Sequence, residues 1–75
     1  MEKYKCIKAF ELPKYDENNS PTDNYGKVEE GSVWEYAHDY VSEADARLYL
    51  VNGNSDFDFI DIIHERLEEY FQKIA

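Results

Sequence analysis

The chain has 75 residues, 17 acidic against eight basic, for a formal charge of -9, with 43% hydrophobic and 16% aromatic content. A length like this builds one domain that buries only about 60–65% of its unfolded surface, so a few large rings must supply much of a small core. The charge argues against phosphate backbones and anionic membranes as partners and favours a protein with a basic surface, the plainer alternative being acidity that only keeps a small protein soluble.

Tyr4–Leu12 reads as the first strand: Tyr4, Cys6, Phe10 and Leu12 share one face, interrupted by Lys8, and Ile7 and Ala9 take the other. From Pro13 to Asn24 the residues turn polar and rich in Asn and Pro, which predicts a long surface loop. Tyr25–Glu30 is expected as a short second strand, ending in a turn at Glu29-Glu30-Gly31 where Gly31 takes positive φ. Ser32–Tyr36 follows as a third strand, with Trp34 and Tyr36 on one side and Val33 and Glu35 on the other. Over 37–45, Ser42 and Asp45 form a helix-start pair without apolar periodicity behind it, so one turn of helix and a plain loop both fit.

Arg47–Val51, Asn52-Gly53 and Asp56–Ile62 carry the strongest local signal, a hairpin whose Asn-Gly turn is lengthened by Asn54 and Ser55. Leu48 and Leu50 alternate with Arg47, Tyr49 and Val51. On the return, Asp56, Asp58, Ile60 and Ile62 share one face and Phe57, Phe59 and Asp61 the other, so the apolar face changes partway. Either a bulge shifts the register between Phe59 and Ile60, or Ile60 and Ile62 face a helix while Phe57 and Phe59 emerge opposite. From Ile63, apolar residues at Ile63, Leu67, Tyr70, Phe71 and Ile74 predict a C-terminal helix over about 63–74 with Glu65, Arg66, Glu68, Glu69 and Lys73 in water. The expected fold is α+β: one domain over residues 1–75, with a curved antiparallel sheet of four or five strands, approaching a small open barrel, and one C-terminal helix packed on it.

Gly31-Ser32-Val33-Trp34-Glu35, the closing Ile60-Asp61-Ile62, Leu67-Glu68-Glu69-Tyr70-Phe71 and the opening Tyr4-Lys5-Cys6-Ile7-Lys8-Ala9-Phe10 together resemble small proteins of unknown function from prophages and other mobile elements of Gram-positive bacteria. The resemblance implies a setting rather than an activity, and no catalytic residues come with it. Ile63 stands where a small capping residue is expected, and Asp45-Ala46 where a glycine pair is expected before the fourth strand.

Cys6 is the one cysteine, which excludes an intramolecular disulfide and a four-cysteine zinc site and fits a reducing cytoplasm. No apolar run approaches the roughly 20 residues of a membrane span. His38-Asp39 and His64-Glu65 are the histidine–acid neighbours, and His64 with Glu68 has the i, i+4 spacing of some metal sites, but two ligands do not make a site. Asp16-Glu17-Asn18-Asn19-Ser20 fails as a calcium loop at Pro21 and Lys27. Neither an oriented nucleophile nor a glycine-rich phosphate loop is present, so no enzyme, metal or cofactor is expected.

The residues expected to meet a partner are Tyr49, Val51, Asp56, Phe57, Asp58 and Phe59, an aromatic patch flanked by carboxylates that also include Asp61. Burial of these rings under the first strand or the long loop is the competing expectation. The function that follows is a non-enzymatic acidic interaction module, one version of which inhibits a nucleic-acid-binding host defence protein by presenting carboxylates. The alternative is a small structural or self-associating protein.

Overall fold

Residues that alternate inward and outward along neighbouring strands give a sheet two unlike faces, and this chain exploits that over most of its length. The computed structural model describes residues 2–18, 20–37 and 44–75. The elements are β1 (Lys3–Cys6), β2 (Phe10–Tyr15), β3 (Pro21–Val28), β4 (Val33–Tyr36), β5 (Ala46–Asn52), β6 (Phe59–Ile62), α1 (His64–Tyr70) and β7 (Phe71–Lys73). A five-stranded antiparallel sheet has the order β6-β5-β4-β1-β7, and β2 and β3 form a separate two-stranded ribbon. The fold is therefore α+β with one C-terminal helix, and the sheet stays open with β6 and β7 at its edges instead of closing into a barrel.

Register sorts the side chains. Tyr4 lies opposite Trp34, Trp34 opposite Leu50, Leu48 opposite Ile60 and Cys6 opposite Phe71, so these residues share the inner face. Two elements lie on it. Since β6 and β7 are opposite edges, α1 must cross this face between them, where it buries Leu67. The ribbon folds over a second part, burying Phe10 and Val28. Phe10 reaches Tyr70 at 4.7 Å and Phe71 at 5.8 Å, the latter edge to face, and Phe71 meets the fully buried Trp34 in the same manner at 6.4 Å. The Trp34 indole N–H donates to Ser32 Oγ at 2.8 Å, and that hydroxyl donates to the Glu29 carbonyl, so both buried polar groups are satisfied.

Several expected boundaries are corrected. Tyr4–Leu12 is not one strand: the chain leaves the sheet at Ile7, whose N–H donates to the Tyr70 carbonyl, and it returns above the inner face so that Phe10 can cover the core. The loop expected over 13–24 is mostly paired ribbon, with Pro13 opposite Tyr25 and Tyr15 opposite Pro21. A two-stranded ribbon tolerates these prolines because a strand with a free edge does not need every N–H. Only the tip turns, where Asp16 Oδ1 accepts the N–H groups of Asn18 and Ser20.

The helix is the third correction. It ends at Tyr70, and Phe71, with φ -129° and ψ 153°, opens β7 beside β1. Phe71–Lys73 can pair with the edge that β1 otherwise leaves open, and pairing wins although it gives up the helical stripe at Ile74. Ile63 and Ile74, expected in the buried stripe, are exposed. The turn at Glu29–Ser32 and the bend at Gly53 behave as expected, with φ +91° at Gly31 and +98° at Gly53. The expected hairpin strand at Asp56 begins instead at Phe59, because 55 and 56 pair with the ribbon: Ser55 bridges Val28, and Asp56 exchanges bonds with the backbone of Lys27. The helix-start pair of Ser42 and Asp45 and the His38-Asp39 neighbours fall wholly or partly outside the described residues.

Candidate functional site

On the outer face of the sheet, β5 and β6 bring Tyr49, Val51 and Phe59 to the surface at 43, 48 and 44% exposure, large values for apolar side chains side by side. Their direction follows from an uninterrupted register: Tyr49 pairs with Phe59, Leu48 with Ile60, Arg47 with Asp61 and Ala46 with Ile62. No shift separates Phe59 from Ile60, so Ile60 and Ile62 point to the helix and Phe59 away from it. The Tyr49 and Phe59 rings lie 6.0 Å apart and tilted by 49°. Beside them Arg47 sets its guanidinium 4.2 Å from the Phe59 ring centre and forks onto Asp61, with Nε to Oδ1 at 2.9 Å and Nη2 to Oδ2 at 3.0 Å. This pair holds Phe59 in place and cancels two charges locally.

Phe57 parts company with Phe59. It lies in the irregular stretch before β6, half-buried against the core, with its ring over Gly26. A Cβ at position 26 would come within 2.6 Å of that ring, so glycine there is a matter of space. Asp56 is also committed within the fold, since its carboxylate accepts the Lys27 N–H at 2.7 Å. Asp58 is exposed at the start of the patch. Of the six residues expected to meet a partner, Tyr49, Val51, Asp58 and Phe59 thus lie on the surface together, whereas Phe57 and Asp56 join the ribbon to the sheet. Periodicity cannot show this, because it has no meaning in the irregular loop that turns Phe57 inward.

The remaining chemistry-bearing residues are placed as follows. Cys6 is fully buried, its thiol donates to the Lys8 carbonyl at 3.2 Å, and burial pushes its pKa up, so it lacks the thiolate character of a nucleophile. His64 and Glu68 lie one turn apart on α1, and among the described residues no group of three or more His, Cys, Asp or Glu is placed to hold a metal. Ile63 gives α1 no side-chain cap; Asp45, nineteen residues earlier, accepts the His64 N–H at 2.9 Å in its place. No described helix is long and apolar enough to cross a membrane.

Comparison of the chain with protein-family models, with curated proteins and with solved structures finds no match. The geometry of the outer face therefore carries the functional argument by itself.

Proposed function

We propose that this protein is an acidic interaction module that acts by binding rather than by catalysis, docking a protein partner with a basic surface through the β5–β6 half of the outer face. The observation that carries the reading is the cluster of Tyr49, Val51 and Phe59, exposed side by side on a sheet face that neither the helix nor the ribbon covers. Large amphipathic rings make effective anchors because they bury much area while freezing few torsions. Charge complements them: residues 15–75 hold 15 acidic against four basic side chains, and Asp58 stands exposed next to the patch. Lys3 and Lys5 lie across the sheet on β1, so they leave the acidic rim at the β5–β6 side intact.

One specific form of this reading is an inhibitor from a mobile element whose carboxylates occupy the basic groove of a nucleic-acid-binding defence protein. Its test is affinity for such a protein across ionic strength, with wild type beside a Tyr49→Ser/Phe59→Ser variant. Affinity should fall steeply between low and high salt and should drop by at least about tenfold in the variant, as anchor residues of roughly 1.4 kcal/mol or more require. Salt-insensitive binding, or binding that ignores the double substitution, overturns it.

A second reading, self-association, is favoured by one observation: β6, which carries Phe59, is an edge strand of the open sheet. Repulsion between two copies of charge -9 works against it. Sedimentation over a concentration series separates the two, since a strictly monomeric protein removes the second reading.

A further inference from the structure

Crossing the inner face from β6 to β7, the short helix leaves a flank on either side. The ribbon fills one with Phe10 and Val28. The other is a groove of about 500 Å³ whose floor is Leu67 and Phe71 and whose wall is the Tyr4 and Tyr36 rings, 6.2 Å apart and tilted by 43°. Glu2, Lys73, His64 and Glu68 form the rim. Lys73 is tied to Glu2 at 3.0 Å, an interaction that raises its pKa, so the rim's lysine is occupied with one carboxylate and Glu68 makes no ion pair among the described residues.

We propose that this groove receives one arginine side chain of the basic partner, its guanidinium lying on the Tyr4 ring and forking onto Glu68. The molecule already contains that arrangement on its outer face, where Arg47 lies 4.2 Å from the Phe59 ring centre and forks onto Asp61. The groove offers the same two recognition elements, an aromatic face at Tyr4 and a carboxylate at Glu68. Arginine suits it better than lysine because a planar, weakly hydrated guanidinium can stack on a ring while its rigid fork bonds a carboxylate in two places, whereas an ammonium has no flat face and is more strongly hydrated. The net charge of -9 draws such a residue towards the surface.

The occupant's basic character rests on the function proposed above, but the residues are different and the test needs no identified partner. A short peptide with one arginine between neutral residues is titrated against the full chain, alongside the same peptide with citrulline, which keeps the shape and loses the charge. Chemical-shift changes in the Tyr4 and Tyr36 rings should report tighter binding of the arginine peptide, on the order of fivefold for a partly exposed cation–aromatic and carboxylate contact. Glu68→Gln, at an exposed helix position, should weaken the preference because the carboxylate contact is lost while the ring contact stays, and Glu65→Gln, the same charge change at an exposed helix position that does not line the groove, should leave it unchanged. Equal binding of the two peptides, an undiminished preference in Glu68→Gln, or shifts confined to other regions overturns the proposal. A groove without arginine preference in a protein whose Tyr49/Phe59 variant still loses its partner removes this inference alone. A groove that prefers arginine in a protein whose partner binding ignores salt and those substitutions removes the sheet-face reading alone.

Discussion

The two faces of the five-stranded sheet are made by the same strands and differ in almost every physical respect. The inner face gathers Cys6, Trp34, Leu48, Ile60 and Phe71, none more than 4% exposed, and both the helix and the ribbon press on it. The outer face sets Arg47 against Asp61 and Tyr49 against Phe59, pairs that touch one another and water. Removing apolar surface from water stabilises the fold on the first; on the second, cross-strand contacts contribute only about 0.2–1 kcal/mol each. Stability and recognition are in this way assigned to opposite sides of one layer, and substitutions on the two sides should have separable effects.

The largest expected effect tests that separation directly. Trp34→Ala should cost about 3–5 kcal/mol, enough to unfold a domain of this size, whereas Tyr49→Ser or Phe59→Ser should stay within roughly 1 kcal/mol of wild type. Urea unfolding followed by far-UV circular dichroism measures both, and similar losses on the two faces would contradict the division. Gly26→Ala, next in size, drives a methyl group into the Phe57 ring and should cost about 1–3 kcal/mol. Shortening that ring in a Gly26→Ala/Phe57→Leu double variant should recover part of the loss, which a thermal-melt comparison of the four proteins would show.

Asp45→Ala should destabilise by about 0.5–2 kcal/mol through loss of the cap at His64, with Asp45→Asn close to wild type because an amide oxygen accepts the same bond. The smallest expected effect is a pH dependence set at the centre of the inner face. Burial raises the Cys6 thiol above its ordinary 9.0, so the folded state holds this proton to higher pH than the unfolded chain does. Its contribution is complete below pH 9.0 and declines as pH rises through the folded value. Tyr4, raised by burial and then by Glu2, begins to act in the same direction only above 10.0. Melts between these two values should therefore show a slope in wild type that is reduced in Cys6→Ala.

Much of the inner face is legible without coordinates. Trp34 beside Tyr36, Leu48 beside Leu50 and Ile60 beside Ile62 each repeat at two residues, and a strand has no other way to place such a pattern against a core. The ends of elements are less legible. Phe71 and Ile74 satisfy the helical spacing from Leu67, and nothing in the local pattern announces a strand there, so only the availability of β1 as a partner settles where α1 stops. Pro13 and Pro21 look like punctuation, yet in a ribbon with free edges they sit within strands. On the candidate surface, alternation puts Tyr49 and Val51 on one face, but the side of Phe59 is decided only by the unshifted pairing of β5 with β6, and Phe57 and Asp56 are oriented by the ribbon.

An acidic α+β domain with an antiparallel sheet, its inward set on β4, β5 and β6, the outward aspect of Tyr49 and the tight bends at Gly31 and Gly53 are consequences of local pattern, where a residue's neighbours in the chain are also its neighbours in space. The reach of the helix, the turn of Phe57 onto Gly26, the cap supplied by Asp45 and the groove beside Tyr4 and Tyr36 depend on residues tens of positions apart. For these, several local conformations lie close in energy, and the packing of remote segments selects among them.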